Sequence, residues 1–187
     1  MLFLTVAAPS PGDGAALDNC IARIAGGDQA ALAQLYEQTR AAVYGFALSI
    51  LKVPHDAEDV LHDAYLQVWH AAGSYQSQGK PMAWLLTIVR NLSMDLLRRR
   101  SRAELVSWDE YQDQLAERPA VTPEERILLS SLLSALSDEE RQVVTLHALS
   151  GLKHREIASL LGLPLPTVLS KYSRALKKLK LFWKEAN

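Results

Sequence analysis

The sequence predicts an all-α chain: two small helical domains joined by an acidic linker. Three observations carry that expectation. Apolar residues recur at three- and four-residue steps over long segments, the period of a helix with one buried face. No stretch alternates apolar and polar residues with period two, so strands are not expected. From about Ala103 to Val121 the periodicity fades, and Glu104, Asp109, Glu110, Asp113 and Glu117 stand against one cation, Arg118, as in an acidic linker. The expected divisions are a flexible lead-in over 1–26, a helical unit over 27–102, the linker over 103–121 and a second helical unit over 122–187.

Each element follows from local signals. Pro9, Ser10, Pro11 and Gly12 open a stretch read as flexible lead-in. Asp28 suits an N-cap for a long helix reaching about Lys52, with Leu32, Leu35, Tyr36, Val43, Ala47 and Ile50 on one face. Pro54 ends that helix and Asp56 opens a second, striped by Ala57, Val60, Leu61, Ala64, Tyr65 and Val68. Gly73 to Gly79 is a polar loop. Pro81 fits the first turn of a third helix, where its missing N–H costs nothing. That helix carries Trp84, Leu85, Ile88, Val89, Leu92 and Leu96 and ends in Arg98, Arg99 and Arg100. Ser107 to Glu110 has the spacing of a capping box. Thr122, Pro123 and Glu125 mark a helix start, and Ser137 with Glu140 marks another, whose helix ends near Gly151.

Composition narrows the function classes. The chain has 187 residues, 49% of them apolar and 22% charged, which is enough for a packed core in an ordinary soluble protein. Cys20 is the sole cysteine, so neither an internal disulfide nor a cysteine zinc cluster is available, as expected in a reducing cytosol. Met1 to Ala8 is apolar but too short to span a bilayer, and charge interrupts every other apolar stretch. A cytoplasmic protein without membrane insertion is expected. The net charge of −1 conceals a segregated cationic tail of Lys153, Arg155, Lys171, Arg174, Lys177, Lys178, Lys180 and Lys184.

Within that tail, Glu156 to Gly162 followed by Val168 has helix-turn-helix spacing. Ala158 is small where two helices must cross, Gly162 tolerates positive φ in the turn, and Val168 anchors the second helix. Val168, Tyr172, Ala175 and Leu179 are expected to face inward. Leu169, Ser170, Lys171, Ser173 and Arg174 then face outward, as on a recognition helix. The same residues also fit a plain helical hairpin with a solvated lysine-rich end.

Taken in order, three motifs resemble the extracytoplasmic-function group of bacterial RNA polymerase sigma factors. Asp56 to Trp69 looks like part of sigma region two. Ala83 to Asn91, with Asp95 and Arg98 to Arg100, resembles the part of that region that melts and reads the minus-ten element. Leu136 to Leu179 resembles region four, which binds the minus-thirty-five element. The resemblance implies a non-catalytic initiation subunit without a cofactor, monomeric when free. Its implied partners are core RNA polymerase, through the β′ clamp and β flap, promoter DNA and an anti-sigma factor.

It also implies residue roles. Asp56, Glu58, Asp59, His62, Asp63, Leu66 and Trp69 would bind polymerase. Tyr75, Gln76 and Ser77 would hold a flipped base, with Arg90, Asn91, Arg98, Arg99 and Arg100 on nearby phosphates and bases. Arg155, Thr167, Leu169, Ser170, Lys171, Arg174 and Lys178 would meet the minus-thirty-five element. Trp84 is expected in the core, and Trp69 fits either core or surface. The linker would thread toward the polymerase cleft as a polyanion. The chain departs from the family pattern where a helix-capping Ser or Thr is usual near Lys153, a glycine at Pro166 and a cation at Leu169.

Two other readings use the same residues. A conventional repressor or activator would dimerise and bind naked palindromic duplex, yet no dimerisation heptad is visible. A phosphotransfer module would use His62 or His70, but neither sits in a recognisable catalytic pattern, and His147 and His154 are too isolated in sequence to suggest zinc.

Overall fold

A computed structural model of the chain describes residues 13–103 and 135–185, all in helices or short connections. The helices are α1 (Asp13–Ala25), α2 (Gln29–Leu51), α3 (Pro54–Ala71), α4 (Pro81–Ala103), α5 (Asp138–Ser150), α6 (His154–Leu161) and α7 (Leu165–Glu185). Most of the linker, the Ser107–Glu110 turn and the Thr122–Glu125 start lie outside the described residues.

The first element departs from the sequence expectation. Residues expected to form the end of a flexible lead-in instead build α1, which buries Leu17, Cys20, Ile21 and Ile24. Those positions fall at i, i+3, i+4 and i+7, so the helical stripe was present behind a Pro- and Gly-rich opening. A tight turn at Gly26 and Gly27, the latter at φ +86°, reverses the chain into α2. Arg23 spans that turn to Asp28 at 2.7 Å.

Helix α2 is the centre of the molecule, packing against α1, α3, α4 and α5. Asp28 caps it as expected, accepting from the Ala31 N–H at 3.1 Å. Lys52 ends it in the left-handed conformation, donating its N–H to the Leu48 carbonyl. Val43, Phe46 and Ala47 are wholly buried against Val68, Leu85, Leu86 and Val89. A polar bridge between α2 and α3 in this core is built from hydroxyls. The Thr39 hydroxyl donates to the Leu35 carbonyl, so at 2.7 Å the Tyr65 phenol donates to Thr39. Burial raises the Tyr65 phenol far above its ordinary range.

Helix α3 starts earlier than expected, at Pro54, because proline is well tolerated at a first helical position. Asp56 is therefore a first-turn residue rather than the opening cap. A 3₁₀ turn (Ala72–Ser74) and an irregular loop lead to α4, which starts at Pro81 as expected.

The second helical unit follows its sequence signals closely. Ser137 and Glu140 make a complete capping box, and Gly151 closes α5 at φ 67°. Gly162 turns the chain at φ +68°, with the Leu163 N–H reaching the Ala158 carbonyl. The two units touch directly. The Gly45 Cα faces Leu149 and Thr145 of α5 so closely that a Cβ would lie 2.4 Å from Leu149 Cδ1. Lys52 reaches Asp138 at 2.9 Å, and one buried cluster continues through Val143, Leu146, Leu152, Ile157 and Val168.

Candidate nucleic-acid interface

Three surfaces are candidates. The outer face of α3 exposes His55, Asp59, His62, Asp63, Leu66, Gln67 and His70 in one helical row. Leu66 is 60% exposed, an apolar side chain set among acids and imidazoles. Such a surface suits a basic helical partner with an apolar contact point. Glu58 and Trp69 are half-buried at its margin, Trp69 packing on the core.

Asp56 does not belong to this face. It is 2% exposed, and Arg100 of α4 holds it in a forked ion pair. Both residues were expected to meet partners, Asp56 the polymerase and Arg100 DNA. The structure joins them instead, because a first-turn carboxylate buried under α4 needs a counter-ion.

The second surface is the loop after the 3₁₀ turn, with the exposed row Thr87, Asn91, Met94 and Arg98 on α4. The loop begins with Tyr75, whose ring lies 4.7 Å from Trp84 at a 49° tilt. Its phenol donates to Asp18 of α1 at 2.5 Å. Burial and then the Asp18 carboxylate push the phenol well above its ordinary range, so it stays a donor. Gln76 and Ser77 are exposed beside it. Arg90 is half-buried, Arg99 is exposed, and Arg98 pairs with Asp95 at 2.5 Å.

A cleft of about 540 Å³ separates this loop from α6, lined among others by Tyr75, Gln76, Trp84, Thr87, Arg155 and Ser159. Arg155 was expected beside the minus-thirty-five contacts. Here it faces the loop expected to read the other element. Trp84, expected in the core, is half-buried and shows one side to the cleft.

The third surface is α7. Val168 and Ala175 are fully buried, and Tyr172 is half-buried as expected. The exposed positions up to Lys180 are Pro166, Leu169, Ser170, Ser173, Arg174, Lys177, Lys178 and Lys180. Lys171, expected among them, turns inward to pair with Glu139. Lys178 pairs with Glu140 at 2.7 Å, and Arg174 lies 3.9 Å from the same carboxylate. The Lys178 hydrogen bond, together with the Ser137 N–H, holds the Glu140 carboxyl below its usual range against the opposing effect of burial. Thr167 is half-buried, its N–H donating to the Pro164 carbonyl in the turn. Lys177 and Lys180 were not singled out from the cationic tail. Counting i+4 and i+8 from Leu169 reaches Ser173 and Lys177, a signal the sequence does contain.

Behind α7 sits an aromatic group that sequence distance concealed. His147 and His154 stack at 4.7 Å, and Tyr172 meets both edge-on at 4.8 Å. His147 Nδ1 is fixed by the Leu152 carbonyl at 3.0 Å. Burial, then His147, lowers the His154 pKa. Stacked rings do not aim their lone pairs at a common point, and no metal-holding group of His, Cys, Asp and Glu occurs among the described residues. At Lys153 the absent Ser or Thr cap is half replaced, since Glu156 accepts from the Lys153 N–H at 2.8 Å.

Comparison with known proteins decides what these surfaces belong to. The family model for Sigma-70 region 2 matches residues 35–103, and that for Sigma-70, region 4 matches residues 126–179. The ECF RNA polymerase sigma factor SigK of Mycobacterium sp. (strain KMS) is 34% identical over 88% of this chain and 89% of its own length. The chain belongs to the extracytoplasmic-function sigma factors. SigK of Mycobacterium tuberculosis (strain ATCC 25618 / H37Rv) is 33% identical over 88% of this chain and 91% of the relative.

Among solved structures, CnrH in complex with the cytosolic domain of CnrY matches with a TM-score of 0.63 and 28% identity, covering 92% of this chain and 99% of that one. The sigma factor RpoE in complex with the anti-sigma factor NepR, from Bartonella quintana, gives 0.62 and 25%, covering 81% and 95%. As a sigma factor the protein is a non-catalytic subunit of transcription initiation. The phosphotransfer and repressor readings fall away. No helix among the described residues is long and apolar enough to cross a membrane.

Proposed function

We propose that this sigma factor docks on core RNA polymerase through the outer row of α3, engages the minus-ten element with the Tyr75 loop and α4, and engages the minus-thirty-five element with the outer row of α7. The observation that carries the reading is the exposed α3 row from His55 to His70, with Leu66 standing out of it. Among the described residues that row stays exposed. Asp59, His62, Asp63 and Leu66 are its docking residues, with Glu58 and Trp69 at the margin. Gln76 and Ser77 take up the flipped base, and Asn91, Arg90 and Arg99 the neighbouring strand. Strand separation is driven by binding energy, without covalent chemistry.

On α7, Ser170 and Leu169 face bases and the cations face phosphates. Leu169 cannot pair with a phosphate, so it packs on a thymine methyl instead. Region four also meets the β flap. The solved relatives bound to CnrY and NepR support a dedicated anti-sigma partner for this chain in the cytoplasm.

Run-off transcription with core polymerase and a promoter library tests the reading. Initiation from defined start sites is expected. Failure to associate with core, or association without start-site selection, would overturn it. Retention of naked duplex by the protein alone would favour a conventional regulator.

A further inference from the structure

The loop proposed to read the minus-ten element is anchored from outside the region-two match. Tyr75 follows the 3₁₀ turn with its N–H on the Ala72 carbonyl at 3.1 Å, after which the chain runs without regular backbone pairing to Pro81. What fixes the loop is the Tyr75 side chain, held by the Trp84 ring on one side and the Asp18 carboxylate on another, with the Ser77 side chain also hydrogen-bonded to the phenol from within the loop. Asp18 is on α1, N-terminal to residues 35–103. It neighbours Leu17, which is buried, so the rigidity of the α1 packing is passed to the carboxylate. A phenol donating to a carboxylate makes a charge-assisted bond, stronger than a neutral one.

The geometry points to Asp18 as a positioning residue for minus-ten recognition. By tethering the Tyr75 phenol, which the Ser77 side chain also meets, it sets the ring as a fixed wall beside Trp84 and leaves Gln76 to face the displaced strand. This rests on the function proposed above. A loop held in its bound shape before DNA arrives avoids the ordering cost that a free loop meets on binding. Tyr75 is then a support for the base-binding pocket and does not swing out to intercalate. Helix α1, which carries no DNA contact of its own in this reading, thereby becomes part of the melting apparatus.

The test compares Asp18→Ala, Asp18→Asn and Tyr75→Phe in the full chain. Hydrogen exchange of the Tyr75 amide, the loop N–H that is bonded to the Ala72 carbonyl, read without polymerase, is expected to rise about tenfold in Asp18→Ala and Tyr75→Phe, the loss of one charge-assisted hydrogen bond. Asp18→Asn keeps an acceptor oxygen but not its charge, so its exchange should fall between wild type and Asp18→Ala. With core polymerase on a promoter selected by run-off, permanganate reactivity of minus-ten thymines should appear several-fold more slowly in the first and third variants. Core affinity should be unchanged in all three, and the double variant should be no slower than either single.

Unchanged loop exchange in Asp18→Ala overturns the tether. Faster exchange with normal melting overturns its role in recognition, as does a parallel loss of core affinity. A wild-type protein that never opens a promoter overturns the proposed function instead, and the exchange data still report on the tether.

Discussion

Replacing Arg100 by Ala tests whether the arginine-rich end of α4 serves the fold or the DNA. The substitution leaves the Asp56 carboxylate, 2% exposed, without its counter-ion. Breaking a buried pair by deleting one partner costs about 3–5 kcal/mol. The Arg100 side chain is itself 46% exposed, so water can approach the deserted carboxylate, and the lower end, about 3 kcal/mol, applies. Asp56 also lies in the first turn of α3, where the helix dipole favours a negative charge and tempers the loss. The assay is urea unfolding followed by circular dichroism. With a slope of about 1–3 kcal/mol per molar urea, the midpoint should fall by about 1 M or more. Arg100→Lys keeps the charge but not the fork and should recover part of it. A midpoint within about 0.2 M of wild type, with promoter melting lost, would refute the argument and return Arg100 to the DNA interface.

Other perturbations follow from the same contacts. Gly45→Leu should push α5 off α2, since even a Cβ would stand 2.4 Å from Leu149 Cδ1; small-angle scattering should show a larger radius of gyration at unchanged helicity, and an unchanged radius would count against it. The His154 pKa is lowered in the fold, so the unfolded chain takes up this proton first. Stability from His154 is then complete above its ordinary pKa of 6.5 and drains away as pH falls below it, a slope His154→Asn should flatten in melting curves. Lys177→Ala should weaken promoter binding evenly across sequences and lower the salt slope by about 1, without changing stability. Lys171→Ala should instead lower the melting temperature and leave that slope alone.

Much of this was legible because the determining signals are local. The Asp28 cap, the Ser137 capping box, the Gly162 turn and the Ala158–Val168 spacing each involve residues within about a dozen positions, and each sits in the structure as its chemistry requires. Helix α1 shows how a local signal can be lost. Its stripe of Leu17, Cys20, Ile21 and Ile24 is as regular as that of α2, but the Pro- and Gly-rich approach suggested a disordered end. What could not be read at all is long-range pairing. Asp56 and Arg100 are 44 residues apart, and Tyr75 and Asp18 are 57 apart. Periodicity places a residue on a face but does not say which other helix that face meets.

This limit bears most on the cations. The expected minus-thirty-five contacts on α7 include the cations Lys171, Arg174 and Lys178. Yet the start of α5 is acidic for its own reasons: Asp138, Glu139 and Glu140 suit a helix N-terminus, and Glu140 completes the capping box. Those carboxylates then take Lys171 and Lys178 and draw in Arg174. A cation already neutralised by a fixed carboxylate is less available to neutralise a phosphate and release its counterion, because its gain there is offset by the partner it leaves. The salt dependence of minus-thirty-five binding should therefore follow Lys177 and Lys180 more than the total charge of the helix. Glu140→Gln would shift that balance, releasing Lys178 toward DNA while weakening the α5–α7 contact, so affinity and stability should move in opposite directions.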